Sequence, residues 1–221
     1  ALAERELEQS TVVIYTADHG DFAGEHGCIE KHDTMLYDCH VHMPLLIQFP
    51  GSVGPGGRRT DCMVEMIDLA PTLLDLCGFG VPHWMQGTSF ADVMRGRSNH
   101  HRDAVFAMGG VERDAIDRNS TVGREFFFGK LHSDYHLKQK VILDYPEFMM
   151  RAKMIRTRDH KLIYRLNGHH ELYDLREDPH ELANQFANPT HAGTVAELKE
   201  RLICWLMESE TNLPLIDKVW A

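Results

Sequence analysis

Two short clusters combine residue types able to hold a divalent cation and to stabilise an oxyanion. Asp18-His19-Gly20 follows directly on the β-branched and aromatic run Thr11 to Thr16 (TVVIYT). A carboxylate and an imidazole at a strand end can turn toward one cation, and the glycine lets the backbone bend there with no side chain in the way. Mixed oxygen and nitrogen ligation suits calcium, manganese, magnesium or zinc, so the donor types alone leave the metal open. The plain alternative is a polar strand-end turn. Thirteen residues further on stands Lys31, followed by His32. A lysine beside a metal adds positive charge where ester cleavage develops negative charge. Taken alone, Lys31 reads as a solvent-exposed side chain.

These residues need elements to carry them. TVVIYT is an unbroken apolar run, which predicts a strand buried on both faces of a parallel or mixed α/β sheet. Ligands in such sheets sit beyond the carboxyl ends of strands, where Asp18 and His19 stand. Pro44 to Phe49 (PLLIQF) predicts a second interior strand beside the first. A helix with Asp68 as N-cap, Pro71 in the first turn, an apolar stripe of Leu69, Leu73, Leu76 and Cys77, and Gly78 as its stop is expected to pack on them. A shorter helix is expected from about Ser89 to Arg95, and an amphipathic one over Ala1 to Gln9. The polar stretch 97–103 (RSNHHRD) suggests a boundary, dividing the chain into 1–103 and 104–221.

The second part begins with a strand over Ala104 to Met108. Met154–Thr157, Lys161–Leu166 and Glu171–Tyr173 predict a small antiparallel sheet, with Asn167-Gly168 as a hairpin turn whose two residues accept positive φ. Asp178-Pro179-His180-Glu181 has the form of a helix start. A final helix over Thr194 to Glu208, apolar along Val195, Leu198, Leu202, Trp205 and Leu206, is expected to cover the sheet.

Composition narrows the function classes. The 221 residues are 43% hydrophobic and 25% charged, as in globular proteins, and carry a net charge of −10. That balance argues against nucleic acid as partner, since phosphate binding requires clustered Lys and Arg. No apolar run approaches the roughly 20 residues of a membrane span. The five cysteines (Cys28, Cys39, Cys62, Cys77, Cys204) are odd in number and form no CxxC, which favours a reducing, cytoplasmic compartment. The absence of an initiator Met and of any leader suggests a start inside a longer protein, which leaves export open. Of the fifteen histidines, His132 and His136 stand at i, i+4, but Ser133 occupies the place of the glutamate that a zinc-peptidase helix requires.

The stretch TVVIYTADHG-DFAGEHG, the following Lys31-His32 and the strand MPLLIQFPG together resemble the metal-and-lysine segment of the sulfatase family, in the alkaline phosphatase superfamily. That family shows a strand, Asp-His-Gly or Asp-Asn-Gly, a G-E-H-G loop, a lysine and a V-P-L-I-I-x-x-P-G strand. Downstream, MIRTRDHKLIYRLNGHHELYDLREDPHELANQ resembles the family's R-T-x-x-x-K-x-I and E-L-Y-D-L-x-x-D-P-x-E-x-x-N motifs, in the family's order. The resemblance covers most of 1–95 and 152–208. It implies an α/β fold: part of an alkaline-phosphatase-like mixed sheet with flanking helices, plus a small C-terminal antiparallel sheet and helix. It implies Asp18 and His19 as metal ligands, Lys31 as the residue contacting sulfate and nucleophile, and His32 as its orienting neighbour. The implied cofactors are a divalent cation, calcium ahead of manganese, magnesium or zinc, and a formylglycine. His42 departs from the arginine of many relatives, and Cys28-Ile29-Glu30 is unusual.

No cysteine or serine here lies in the C-x-P-S-R or S-x-P-S-R segment from which formylglycine arises. The chain is therefore expected to be the C-terminal portion of a sulfatase-like hydrolase, inactive by itself and acting as a whole on a sulfate ester or sugar sulfate. A phosphodiesterase or phosphonate monoester hydrolase of the same superfamily is the alternative. A non-catalytic module is a third reading, should residue 1 be the native start. An unpaired sheet edge predicts self-association.

Overall fold

The computed structural model describes residues 1–50, 57–111 and 144–210. The His132–His136 pair lies outside them. Contacts group the chain into two units: Ala1–Asp18 with Met43–Val105 and Glu200–Ala221, and His19–His42 with Phe106–Lys199.

In the first unit, strands β1 (Val13–Thr16) and β2 (Leu45–Gln48) pair as a two-stranded sheet. They are neighbours, as their apolar runs suggest, but among the described residues no further strand flanks either of them, so they are not the interior strands expected. They run antiparallel, Val13 opposite Gln48 and Thr16 opposite Leu45, and every second residue is exposed. Tyr15 is 66% and Leu46 59% accessible. A continuous apolar run reports only that both faces tolerate burial, and here one face of the ribbon is bare. The N-terminal segment also departs from expectation. It forms two short 3-10 turns, Ala3–Arg5 and Glu8–Ser10, around Glu6 at φ 56°. Nine residues with no buried side chain are too few to sustain a helix in water.

Helix α2 (Leu69–Leu76) is where it was expected, and its chain stops at Gly78, with the Phe79 N–H donating to Leu74 O at 2.8 Å. Its start differs. Glu65 caps a 3-10 turn, Met66–Asp68, that runs into α2, and Asp68 closes the capping box from its third position. The Asp68 side chain is fully buried and accepts from Glu65 N (3.0 Å), Thr88 N (2.8 Å), Arg102 Nε (2.7 Å) and Arg102 Nη2. His101 Nε2 lies 3.1 Å away. Burial pushes the Asp68 carboxyl up, but the bond from Arg102 and the two N–H donors outweigh it and hold the group below its ordinary range. Helix α3 (Ala91–Met94) adds Ala91 and Val93 to the core beside Phe90 and Leu76.

In the second unit, helix α1 (Asp38–Val41) precedes a four-stranded sheet in the order β3 (Val105–Gly109), β4 (Ala152–Arg156), β5 (His160–Arg165), β6 (Glu171–Asp174). The antiparallel β4–β5–β6 register stacks Ile155, Leu162 and Leu172 on one face, all inaccessible to solvent. Helix α4 (Ala192–Glu210) meets that face: Leu198 is buried and the Lys199 ammonium sits 5.0 Å over the Tyr164 ring. The opposite face carries Ala152, Met154, Ile163 and Tyr173, which form a core with Leu36 and are flanked by Tyr37 and Val41.

The turn between β5 and β6 uses positive φ only at Gly168 (86°), because five residues rather than two connect the strands. The Asp178–Glu181 segment is a turn and not a helix. Asp178 still caps, accepting from Leu182 N and Ala183 N at 2.7 Å, but Glu181 sits at φ 57° and its side chain turns inward.

Candidate functional site

Asp18 follows β1 by two residues, is exposed, and closes the first unit. His19, Lys31 and His32 belong to the second unit, Lys31 exposed and both histidines half-buried. His19 Nδ1 lies 2.6 Å from Gly20 O. A carbonyl can only accept, so Nδ1 is the donor in this contact. Fixing one ring nitrogen on a carbonyl is how ligand histidines are generally oriented. The turn itself is anchored by Gly20, whose N–H donates to His40 O at 2.7 Å. A Cβ at residue 20 would fall 2.0 Å from Cys39 O, so only glycine permits this approach.

The loop that follows is conformationally costly. Ala23, Gly24, His26, Gly27 and Glu30 all have positive φ, and three of the five carry a Cβ. The His26 ring stacks on Tyr37 at 4.0 Å with an interplanar angle of 8°, and Phe22, fully buried, packs against His40. Beyond Lys31, His32 Nδ1 lies 3.1 Å from the Thr34 hydroxyl, which also donates to Phe148 O at 2.7 Å.

A strap over residues 34–38 thus links Lys31-His32 to α1, and the sheet holds it by charged side chains. Arg165 donates to Thr34 O and, through Nε, to Glu171 at 2.7 Å. Glu171 Oε2 accepts from both Tyr37 and Tyr173 hydroxyls at 2.8 Å. Burial, together with the Glu171 charge, pushes the Tyr37 hydroxyl up to about 12. Lys161, with no solvent exposure, donates to Leu36 O at 3.2 Å and to Asp38 Oδ1, and its Nζ is 2.5 Å from Glu181 Oε1. That last contact is an ion pair without hydrogen-bond alignment, since Glu181 Oε1 has no directional partner. Arg156 adds an Nε bond to Asp38 at 3.1 Å. Burial pushes both carboxyls up. At Asp38 the charges of Lys161 and Arg156 prevail and the net shift is downward, whereas at Glu181 burial prevails.

Asp38, Lys161, Glu181 and Glu171 were not legible as site-supporting residues. Glu181 read as part of a helix start and Lys161 and Glu171 as the first residues of short strands, and the resemblance placed all three in its downstream motifs without giving them a role.

Beside the strap lies a cavity of about 500 Å³, lined by Asp21, Glu25, His26, Cys39, His42 and His180 among others. Burial, then Glu25 and Glu181, push the Cys39 thiol up to about 12, which keeps it protonated and unsuited to attack. Among the described residues, no three His, Cys, Asp or Glu side chains converge as a metal cage.

The class of protein follows from comparison. The chain matches the family described as N-sulphoglucosamine sulphohydrolase, C-terminal, over residues 24–108 and 130–207, and it belongs to that sulfatase family. It is 30% identical over 195 residues to an N-acetylglucosamine-6-O-sulfatase of Bacteroides thetaiotaomicron, covering 87% of this chain and 29% of the relative. It is 26% identical to an ulvan-active sulfatase of Formosa agariphila, covering 97% of this chain and 37% of the relative. Among solved structures, it resembles one in complex with its substrate D-glucosamine-2-N,6-O-disulfate (TM-score 0.72, 27% identity), covering 96% of this chain and 37% of the other. It also resembles a phosphonate monoester hydrolase of Agrobacterium radiobacter (TM-score 0.71, 26% identity), covering 94% and 37%. The fold is accordingly the alkaline-phosphatase-like α/β class. The chain spans about a third of the length of these relatives.

Proposed function

We propose that these residues supply part of the active site of a sulfuric ester hydrolase acting on a sulfated sugar. The observation that carries this reading is the family match across both segments, together with a relative at 30% identity that acts on 6-O-sulfated N-acetylglucosamine by its name. In this reading Asp18 and His19 are two ligands of a divalent cation. The His19 ring is suited to that role, with Nδ1 engaged by Gly20 O. Two donors from one turn hold a divalent ion weakly, so the remaining ligands come from elsewhere in the enzyme. A bound cation supplies positive charge to the ester oxyanion. Lys31 places its ammonium on a non-bridging sulfate oxygen, lowering the barrier as negative charge grows. His32, held by Thr34, orients Lys31. The cavity lined by His26, His42 and His180 offers donors and acceptors for sugar hydroxyls.

The nucleophile is expected from a C-x-P-S-R or S-x-P-S-R segment, which these 221 residues do not contain. Cys39, whose thiol burial pushes up to about 12, is a poor substitute. The testing assay follows hydrolysis of glucosamine 6-sulfate and of an aryl sulfate with calcium, magnesium, manganese or zinc added. The 221 residues alone are expected to show no turnover, and the complete gene product to show it and to lose at least about a hundredfold in Lys31→Ala. Turnover by the 221 residues that vanishes in Lys31→Ala and Asp18→Ala would overturn the assignment of an outside nucleophile. Likeness to the phosphonate monoester hydrolase supports a second reading. A complete gene product that hydrolyses a phosphonate monoester in preference to either sulfate would establish it.

A further inference from the structure

Helix α1 is four residues long, and Tyr37 at its N-cap offers no side-chain cap. A single turn of this length does not hold itself in water. Yet its carbonyls define the site turn: His40 O receives the Gly20 N–H, and Cys39 O occupies the space a Cβ at residue 20 would need. What holds α1 is a buried knot of charges. Glu181 Oε2 accepts the Asp38 N–H at 2.6 Å, satisfying an amide at the start of the helix. Lys161 bonds Leu36 O just before the helix and the Asp38 carboxylate at its first residue, and pairs with Glu181. One ammonium therefore joins the strap, the helix start and the Glu181 turn.

Hydrophobic burial does not account for Lys161. Replacing a buried ion pair by apolar side chains of similar size is often neutral or stabilising, whereas a single truncation strands the partner's charge. A lysine at this position is best explained by the geometry it imposes. We infer that Lys161 is a positioning residue for the His19-Gly20 turn, acting through Asp38 and Glu181 on α1 and through His40 O on Gly20. This rests on the reading of His19 as a metal ligand for its functional meaning, but not for its structural test. The path is continuous: Lys161 to Asp38, Asp38 to His40 along one helical turn, His40 O to Gly20 N, and Gly20 O to His19 Nδ1.

The test is amide hydrogen exchange, read residue by residue by NMR, on Lys161→Met and on the double variant Lys161→Met/Glu181→Gln. The double variant removes the stranded glutamate charge and leaves Asp38 paired with Arg156. In both, the Gly20 amide should exchange about tenfold faster than in the unaltered protein. The Ile163 and Leu172 amides of the sheet should stay within about twofold, with the melting temperature of the double variant restored toward the original. Gly20 protection unchanged in the double variant would overturn the inference. So would failure of both variants to fold, because a positioning role leaves the sheet intact. Exchange is read without substrate or cation, so it stands whether or not sulfate esters prove to be the substrate. In the complete gene product, a functional readout follows. The manganese concentration for half-activation should rise about tenfold, while KM at saturating manganese stays unchanged.

Discussion

The ribbon β1–β2 and the sheet β3–β6 are built from the same kinds of residue and end in different states. Ile155, Leu162, Ile163 and Leu172 are sealed completely, while Val13, Tyr15 and Leu46 stay largely open to solvent. The sheet is covered on both faces, by α4 on one and by the strap of residues 34–38 on the other. The ribbon has two strands and exposes alternate residues of each. Two strands alone are marginal in water. The contrast shows that apolar strand character reports what a segment tolerates, and that packing partners decide whether it is used. It also locates stability: the second unit draws it from sheet burial, and the first draws it from the Asp68 knot and the small core around Phe90.

This division has consequences that can break it. The largest is expected at Asp68→Ala, which leaves Arg102 with Glu65 (3.3 Å) in place of its two bonds to Asp68 and removes the carboxylate that accepts from Glu65 N and Thr88 N. Breaking a buried pair of this kind costs about 3–5 kcal/mol, visible as a lowered midpoint in urea. A loss below about 1 kcal/mol would mean the first unit is held by something other than this knot. Next comes Leu162→Ala in the sealed sheet, expected to lose about 2–5 kcal/mol by transfer and cavity formation.

Acid provides a graded test. Asp38 and Asp68 are held below the ordinary aspartate value of 3.8, and Asp174 lies far below it, chiefly through its bond from Arg176. A carboxyl lowered by folding contributes stability that is complete above its unfolded value and is lost as pH falls through its folded value. Thermal midpoints should therefore decline below about pH 4 as these groups take up protons. Glu181, raised by burial, works in the opposite sense, so Glu181→Gln should make the acid decline steeper. The smallest effect is expected on the ribbon: Leu46→Ala should change stability by no more than about 0.5 kcal/mol. A loss above about 1 kcal/mol would show that this face is covered in solution, and a fall in sedimentation coefficient in the variant would identify a second copy as the cover.

Much of the local structure was legible in the residues. The strand at 13–16, the strand at 45–48, the helix after residue 68 and the three downstream strands lie where periodicity and turn residues put them. The misread polar residues share one cause. Asp68 and Glu181 both have the residue types of helix starts, and both are drawn into ion clusters by partners remote in sequence. Polar residues in 97–103 look like a solvated boundary, yet His101 and Arg102 bind Asp68. Lys161 opens a predicted strand as a polar residue, yet both faces of that strand are covered and Lys161 lies on an inner one.

The order and spacing of Asp18-His19-Gly20, Lys31-His32 and the downstream E-L-Y-D-L stretch were enough to identify the family, because separate motifs in the family's order seldom coincide by chance. Local physics likewise required glycine at the bend and stops at the helix ends. Only the tertiary structure decided that Gly20 docks on α1 and that Lys161 and Glu181 hold α1 in place. Asp38 and Glu181 are 143 residues apart along the chain. A charge bonded over such a separation leaves no periodic mark on the sequence, since its partner is chosen by folding and not by spacing.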